Sequence, residues 1–156
     1  MKVLLTGATG FIGSRLCELL PKQFNTIALT RHQKKSTSQI TWRTCDLYNL
    51  DSCLTALNGV DVAVYLVHSM MPSARLTQAR FEDLDLILAD NFARAAQRNG
   101  IKHIVYVGGL DPEVADTSTH LNSRMEVEQV LAKRVEKITA LRAGLVIGAG
   151  GSSYEV

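Results

Sequence analysis

The sequence predicts a doubly wound α/β fold, in which a parallel sheet carries helices on both faces. Short apolar runs alternate with longer segments of helical period, as in βαβ units. The runs consist mostly of Val, Ile, Leu or Tyr, which is typical of strands covered on both faces. A length of 156 residues suits one domain with a core of its own.

Six apolar runs are predicted to be strands. They share β-branched and aromatic residues, and polar or turn-forming residues separate them. The predicted strands are Lys2 to Thr6, Thr26 to Thr30, Ile40 to Thr44, Asp61 to Val67, Lys102 to Gly108 and Lys137 to Leu141.

Four helices are predicted between these strands. Pro21 ends the first helix, Asp51 is the predicted N-cap of the second, and Asn99-Gly100 stops the third. The predicted helices are residues 11–20, residues 51–57, a long helix that begins near Ala74 or Thr77 and ends at Asn99-Gly100, and residues 119–133.

Composition and charge exclude several classes of function. The 17 Lys and Arg residues against 15 Asp and Glu leave a net charge of +2, which provides no basic surface for nucleic acid. No apolar run reaches the ~18 residues of a membrane span. The three cysteines, Cys17, Cys45 and Cys53, are odd in number and lack metal-type pairing, so we expect structural thiols, no metal site and a cytoplasmic location.

The last residues indicate that this domain, residues 1–156, is the N-terminal part of a longer protein. The sixth predicted strand is followed by a glycine-rich stretch, residues 142–151, in what looks like the start of a new segment. We find no internal repeat or linker that would argue for a second domain within the chain.

The strongest motif lies between the first strand and the first helix, from Thr6 to Gly13. Gly7 permits a tight turn, Gly10 lets backbone N–H groups approach a pyrophosphate, and Gly13 lets the helix pack closely on the sheet. A plain strand-to-helix turn is the alternative. The dinucleotide-binding residues predicted here are Gly7, Thr9, Gly10, Phe11, Ile12 and Gly13.

The end of the second strand favours one dinucleotide over the other. Arg31 stands where an NAD-binding fold normally has an acidic residue, and Lys34 and Lys35 add positive charge. A guanidinium can bind a 2′-phosphate through two hydrogen bonds, so NADP(H) is preferred and NAD(H) remains possible. The alternative is a solvated basic loop.

These residues resemble the short-chain dehydrogenase/reductase superfamily, in its extended and atypical branches. Thr6 to Gly13 match the pattern TGxxGxxG completely, and residues 141–148 resemble the L-R-P-G-x-V-x-G segment, with Ala143 in place of proline. The likeness covers nearly the whole chain. It is greatest to NAD(P)H-binding proteins similar to nucleoside-diphosphate-sugar epimerases, the YbjT and NmrA-like group. The resemblance implies a Rossmann fold and an oxidoreductase or epimerase-like protein.

By that resemblance, further residues would hold the dinucleotide. Asp46 and Leu47 look like the pair that contacts adenine, with Asp46 accepting from the exocyclic amine. Leu66, Val67 and His68 would line the ribose and nicotinamide. A capping or surface histidine is the alternative for His68.

The catalytic pattern of the superfamily is absent. Active members use a Ser after the fifth strand and a Tyr-x-x-x-Lys on the next helix, whereas this chain has Gly108-Gly109-Leu110 after the strand. On the helix, His120 aligns with the tyrosine and Arg124 with the lysine. We predict His120 as a general acid and Arg124 as a clamp on ribose or phosphate. A partly exposed helix residue is the alternative for His120.

Two classes of function fit these departures. A reductase that places the nicotinamide beside a ready hydride acceptor would tolerate the loss of the triad. A protein that only binds the dinucleotide, as a redox sensor or regulator, would tolerate it equally. The unidentified partner is then a small-molecule substrate or another protein.

Overall fold

The computed structural model describes residues 1–68, 81–110, 119–144 and 146–148, and of residues 81–83 and 119–122 it describes only the backbone. Six strands form one sheet in the order β3-β2-β1-β4-β5-β6, and every neighbouring pair is parallel. The strands are β1 (Lys2–Leu5), β2 (Asn25–Thr30), β3 (Ile40–Thr44), β4 (Val62–Tyr65), β5 (His103–Gly109) and β6 (Lys137–Ala143). All six predicted strands are confirmed, with ends that shift by at most two residues.

Four α-helices connect the strands. They are α1 (Phe11–Leu19), which continues into a 3₁₀ turn at Leu20–Lys22, α2 (Leu50–Ala56), α3 (Phe81–Arg98) and α4 (Thr119–Ala132). The predicted start of the third helix, at Ala74 or Thr77, lies outside the described residues.

The N-cap predicted for α2 is wrong. Asn49, not Asp51, caps this helix: its backbone is extended, and its side-chain oxygen accepts a hydrogen bond from the backbone N–H of Ser52 at 3.0 Å. Asp51 lies within the first turn, where a carboxylate still interacts favourably with the helix dipole. Both residue types suit a cap, so only the backbone geometry separates the two positions.

The helices divide between the two faces of the sheet. α1 packs on one face through Leu16 and Cys17, against a small core that includes Leu5 and Ala28. α2, α3 and α4 pack on the other face, over a larger core around Tyr65 and Phe92. The prediction of a doubly wound fold with helices on both faces is thereby confirmed.

The strand order reverses between β1 and β4. The chain moves outward from β1 through β2 to β3, and then from β4 through β5 to β6 on the other side. In open parallel sheets, ligands bind in the crevice outside the carboxyl ends of the strands at such a point. The glycine turn after β1 and the residues after β4 therefore face the same crevice.

Candidate dinucleotide-binding site

The glycine turn leaves no room for side chains at two of its positions. Gly7 has φ +59°, a left-handed conformation that L-residues rarely adopt. A Cβ at Gly13 would lie 2.0 Å from the carbonyl oxygen of Gly7 and 2.8 Å from the Cα of Ala8. The helix therefore starts in direct contact with the turn, and both glycines are required by geometry.

The amino end of α1 is open to a ligand. Gly10 is the N-cap, with φ −80° and ψ 177°, and it makes no side-chain capping bond. The first turn contains no acidic residue. The first N–H groups of a helix have no partner within the helix and carry partial positive charge. This end thus has the donors and the charge that a pyrophosphate requires.

Thr6 connects the glycine turn to the end of β4. Its side chain is fully buried, donates a hydrogen bond to the carbonyl of Val64 at 3.2 Å and accepts one from the N–H of Leu66 at 2.9 Å. We predicted no role for this residue. The threonine that opens the glycine pattern was the available signal, but its partners are about sixty positions away.

The residues after β4 lie against the glycine turn. A Cβ on Gly7 would lie 3.1 Å from the Cβ of Leu66, so the two segments are in close contact. Leu66 and Val67 are half-buried and His68 is exposed. The structure therefore brings these three residues and the glycine turn to one edge of the sheet.

Arg31 directly follows β2 and is exposed. Of its basic neighbours, Lys34 is held in place, because its Nζ lies 3.8 Å from the centre of the Trp42 ring. Lys34 also opposes the rise in the pKa of Cys17 on α1, a rise that burial causes. Positive charge thus stands between the end of β2 and α1, beside the glycine turn.

Asp46 and Leu47 form a tight loop after β3. Oδ1 of Asp46 accepts a hydrogen bond from the N–H of Tyr48 at 3.0 Å, while the residue itself is exposed. The side-chain amide of Asn91 on α3 donates to the carbonyls of Leu47 and Tyr48, both at 3.0 Å. Asn91 fixes this loop from a distant helix, and no local pattern indicates that role.

The carboxyl end of β5 consists of two glycines, Gly108 and Gly109, which have no side chain. A Cβ on Gly108 would lie 2.8 Å from Cε1 of Tyr106, whose hydroxyl donates to the backbone carbonyl of Arg124 at 3.2 Å. Burial raises the pKa of Tyr106 to about 12 although Arg124 opposes the shift. Tyr106 therefore stays neutral at physiological pH.

The two residues predicted for catalysis both lie on α4. His120 is its second residue, and its side chain lies outside the described part. Arg124 is half-buried one turn later. Because α4 follows β5 and leads back to the start of β6, its amino end lies near the carboxyl edge of the sheet.

Residues 146–148 lie against the start of α1. A Cβ on Gly148 would come within 2.7 Å of Cζ of Phe11, so the ring of Phe11 packs directly on this glycine. The sequence suggests no such contact, since the two residues are far apart in the chain. Gly148, the last residue of the segment that resembles the superfamily's last glycine motif, therefore lies beside the start of α1.

In the described ranges, no group of three or more His, Cys, Asp or Glu side chains could hold a metal ion. None of the helices in these ranges is long and apolar enough to cross a membrane.

A parallel sheet with this strand order, a glycine turn without room for side chains and an uncapped helix end define a dinucleotide-binding protein of the Rossmann type. The family described as NAD(P)H-binding matches residues 7–144, and the chain belongs to it. This match, together with the similar structures, confirms the likeness to atypical short-chain dehydrogenase/reductases and nucleoside-diphosphate-sugar epimerase-like proteins.

Relatives of several kinds are similar to the chain. The auxiliary protein GraX of Staphylococcus aureus is 33% identical over 138 residues, which are 85% of this chain and 45% of GraX. The triphenylmethane reductase of Citrobacter sp., solved with NADP(H), has a TM-score of 0.77 at 22% identity, over 93% of this chain and 50% of the reductase. The enzyme WbmH of Bordetella bronchiseptica, solved with NAD+, has a TM-score of 0.75 at 19% identity, over 94% of this chain and 56% of WbmH.

The chain spans about half the length of the relatives it matches. The two solved structures are too distant in sequence to indicate more than the fold. One of them holds NADP(H) and the other NAD+, so the fold accommodates either dinucleotide.

Proposed function

We propose that this chain is the NADP(H)-binding domain, and the N-terminal part, of an atypical reductase that lacks the Ser-Tyr-Lys triad. The observation that carries the proposal is the glycine cradle. A Cβ on Gly13 would meet the backbone at 2.0 Å, and the amino end of α1 has no side-chain cap. A turn packed this closely under an open helix end matches the shape and charge of a pyrophosphate.

The residues predicted to contact the rest of the dinucleotide lie at the same edge of the sheet. The pyrophosphate would contact the backbone from Thr9 to Gly13. Asp46 would accept a hydrogen bond from the adenine amine through Oδ2, because its Oδ1 already accepts one from the N–H of Tyr48. Leu66, Val67 and His68 would line the ribose and nicotinamide.

Arg31 supports the preference for NADP(H) over NAD(H). It is exposed at the carboxyl end of β2, no acidic residue lies among residues 29–35, and Lys34 on Trp42 adds a second positive charge nearby. A carboxylate there would bind the ribose hydroxyls, whereas a guanidinium binds a phosphate.

Calorimetry with NADPH and NADH on this chain tests whether it binds a dinucleotide and whether it prefers NADP(H). We expect NADPH to bind more tightly than NADH. Arg31→Ala should reduce the affinity for NADPH by about tenfold and leave the affinity for NADH unchanged. Gln33→Ala is the matched control, since it alters the same exposed loop without changing its charge. Tighter binding of NADH, or no loss in the Arg31→Ala variant, would reject the assignment.

The dinucleotide supplies a hydride when bound, and the chain has to orient it and provide one proton. His120 is the residue that we propose as the proton donor, because an imidazole titrates near neutral pH. Arg124 is proposed to clamp a ribose or phosphate, since a guanidinium cannot itself release a proton near pH 7. Without a tyrosine in the triad position, the acceptor must be one that needs little activation, such as a quinone, flavin or enone.

The full-length protein tests this chemistry. It should oxidise NADPH with at least one acceptor of these classes, and His120→Ala should lower the rate by about tenfold or more without changing the dissociation constant of NADPH. An unchanged rate in that variant would remove His120 from the mechanism.

A second candidate is a non-catalytic redox sensor or regulator. The likeness to an auxiliary protein favours it, because GraX is the relative with 33% identity. The two glycines at the end of β5 favour it as well, since they offer no hydroxyl to a substrate. In this case NADPH should bind, no acceptor should be reduced, and NADPH should change the affinity for a protein partner.

We also propose a cytoplasmic location. The three cysteines carry free thiols, a state typical of a reducing compartment. Fractionation of cells that produce the tagged full-length protein tests this assignment.

A further inference from the structure

Two buried cysteines lie directly behind the loop proposed to hold adenine. Cys45 is the last residue before Asp46, and Cys53 lies on α2; their relative exposures are 3% and 0%. Their sulfurs are 4.0 Å apart and share a hydrogen bond. A disulfide needs about 2.05 Å between sulfurs, so rotation of the side chains and a small shift of the loop would suffice.

The same cysteines contact the loop itself. The Cys53 thiol lies 3.8 Å from the carbonyl oxygens of both Asp46 and Leu47 and can donate to them. The segment from Cys45 to Cys53 also holds together through its own bonds, with the N–H of Asp46 donating to the Ser52 hydroxyl at 3.0 Å. A bond between the two sulfurs would close this whole segment into a ring.

We propose that Cys45 and Cys53 form a reversible disulfide under peroxide, and that this disulfide weakens dinucleotide binding at Asp46 and Leu47. The effect on binding rests on the proposed function. Oxidation removes the Cys53 proton, so that the sulfur can no longer donate to the carbonyl of Asp46 or of Leu47. The loop must then shift toward α2, which moves the carboxylate of Asp46 away from its place at the edge of the sheet.

The reaction balances with hydrogen peroxide as the oxidant. The Cys45 sulfur attacks a peroxide oxygen, so that an S–O bond forms, the O–O bond breaks and the departing hydroxide takes the thiol proton as water. The Cys53 sulfur then attacks the Cys45 sulfur; the S–S bond forms, the S–O bond breaks and a second water leaves with the Cys53 proton. Two electrons pass from the dithiol to the peroxide.

The roles of the two thiols follow from their surroundings. When the Cys53 thiol turns from the loop carbonyls and donates to the Cys45 sulfur, it lowers the pKa of Cys45 although burial opposes the shift, which favours Cys45 as the attacking thiolate. That hydrogen bond and burial raise the pKa of Cys53, so Cys53 resolves the intermediate. Because both cysteines are buried, the proposal requires local opening of the loop from Asp46 to Asn49, through which a molecule as small as peroxide can reach Cys45.

The third cysteine provides the matched control. Cys17 lies on α1, against the core of the opposite sheet face, whereas Cys45 and Cys53 both belong to the larger core. The Cys17→Ser variant should therefore still form the disulfide between Cys45 and Cys53 under peroxide. Cys53→Ala and Cys45→Ala should each lose it, and either of these variants suffices if the other does not fold.

The test is peroxide titration followed by peptide mapping and calorimetry with NADPH. In the Cys17→Ser chain we expect the loss of two hydrogen atoms, one cross-linked peptide that joins Cys45 to Cys53, and NADPH affinity reduced by at least about fivefold. Dithiothreitol should restore the affinity. By reciprocity, saturating NADPH should slow the formation of the disulfide.

Two results would overturn the proposal: oxidation without a cross-link, or a cross-linked chain that binds NADPH as tightly as the reduced one. Calorimetry on the reduced chain keeps the proposed function separate. If the reduced chain does not bind NADPH, the proposed function and the effect of the disulfide on binding both fail, while the peptide map still decides whether the disulfide forms.

Discussion

The glycine turn after β1 and the end of β5 lie at the same edge of the sheet and use glycine in different ways. In the turn, a side chain on Gly13 would collide with the backbone of Gly7 and Ala8. At the end of β5, the atoms nearest to a side chain on Gly108 would belong to the ring of Tyr106, the first of them at 2.8 Å. The turn is therefore required by the fold, whereas the strand end has two glycines, which have no side chain that could take part in catalysis.

The two regions differ because holding a cofactor and transferring a proton place different demands on the chain. Backbone N–H groups can hold a pyrophosphate only where the chain is packed as tightly as in the turn, and that constraint leaves a readable pattern. Proton transfer needs a side chain at one position, and many residue types can replace it without harm to the fold. The sequence pattern of this chain therefore indicates cofactor binding far more directly than it indicates a reaction.

Gly13→Ala should have the largest effect of any single change. The new Cβ would lie 2.0 Å from the Gly7 carbonyl oxygen, so α1 must move away from the sheet. We expect a loss of about 4 kcal/mol or more in the free energy of unfolding, measured by urea denaturation, together with loss of NADPH binding.

Gly100→Ala is the control for that prediction. Gly100 has φ +71° and no atom within 4 Å of an added Cβ, so its replacement costs only the backbone strain of about 1–2 kcal/mol. Equal losses in the two variants would contradict the view that Gly13 is required by close packing.

Thr6→Val should have the next largest effect. It preserves shape but removes the hydrogen bond to Val64 and leaves the N–H of Leu66 without its partner. We expect the free energy of unfolding to fall by about 1–3 kcal/mol and the NADPH dissociation constant to rise, by denaturation and calorimetry.

Thr26→Val is the matched control, because the buried Thr26 hydroxyl makes one local bond, to the carbonyl of Phe24 at 3.2 Å. It should leave NADPH binding unchanged. A similar loss of NADPH affinity in this variant would argue against a specific link between β1 and β4 through Thr6.

Gly108→Ala should cost less than either change in the turn. The added Cβ would press on a side chain rather than on backbone, so the Tyr106 ring can shift at a cost of about 1–3 kcal/mol. NADPH affinity should remain unchanged, because the pyrophosphate contacts lie on the turn. Loss of binding in this variant would break the proposed separation of the two regions.

Alkaline pH tests the packing at the end of β5 without any change in sequence. The pKa of Tyr106 rises from 10.0 to about 12 in the folded chain. The folded state therefore keeps its proton longer than the unfolded state, and this contribution to stability is lost as the pH rises from about 10 to 12. Tyr106→Phe should reduce this slope in urea denaturation; an unchanged slope would mean that other groups cause it.

The predictable part of the fold is the part with local causes. Strand β3, from Ile40 to Thr44, was predicted with its observed ends because its apolar residues and flanking loops lie within one short window. The cap of α2 was wrong because Asn49 and Asp51 are chemically equivalent candidates, and only the backbone at Asn49 decides between them.

The candidate site divides in the same way. The turn residues, Arg31 and the residues after β4 were all predicted to bind one dinucleotide. The structure brings them to one edge of the sheet, because the carboxyl ends of parallel strands meet there. Asn91 was missed because it reaches the loop after β3 from a helix more than forty residues away. The contact of Phe11 with Gly148 was missed for the same reason.

The sequence by itself determined the parallel sheet, the glycine turn and the kind of cofactor, because hydrophobic periodicity and the steric freedom of glycine act over a few residues. Tertiary structure alone decided how Thr6 links β1 to β4, how Asn91 holds the loop after β3 and how Cys45 comes to face Cys53. Those contacts join separate elements, so they exist only once the sheet and its helices have packed together.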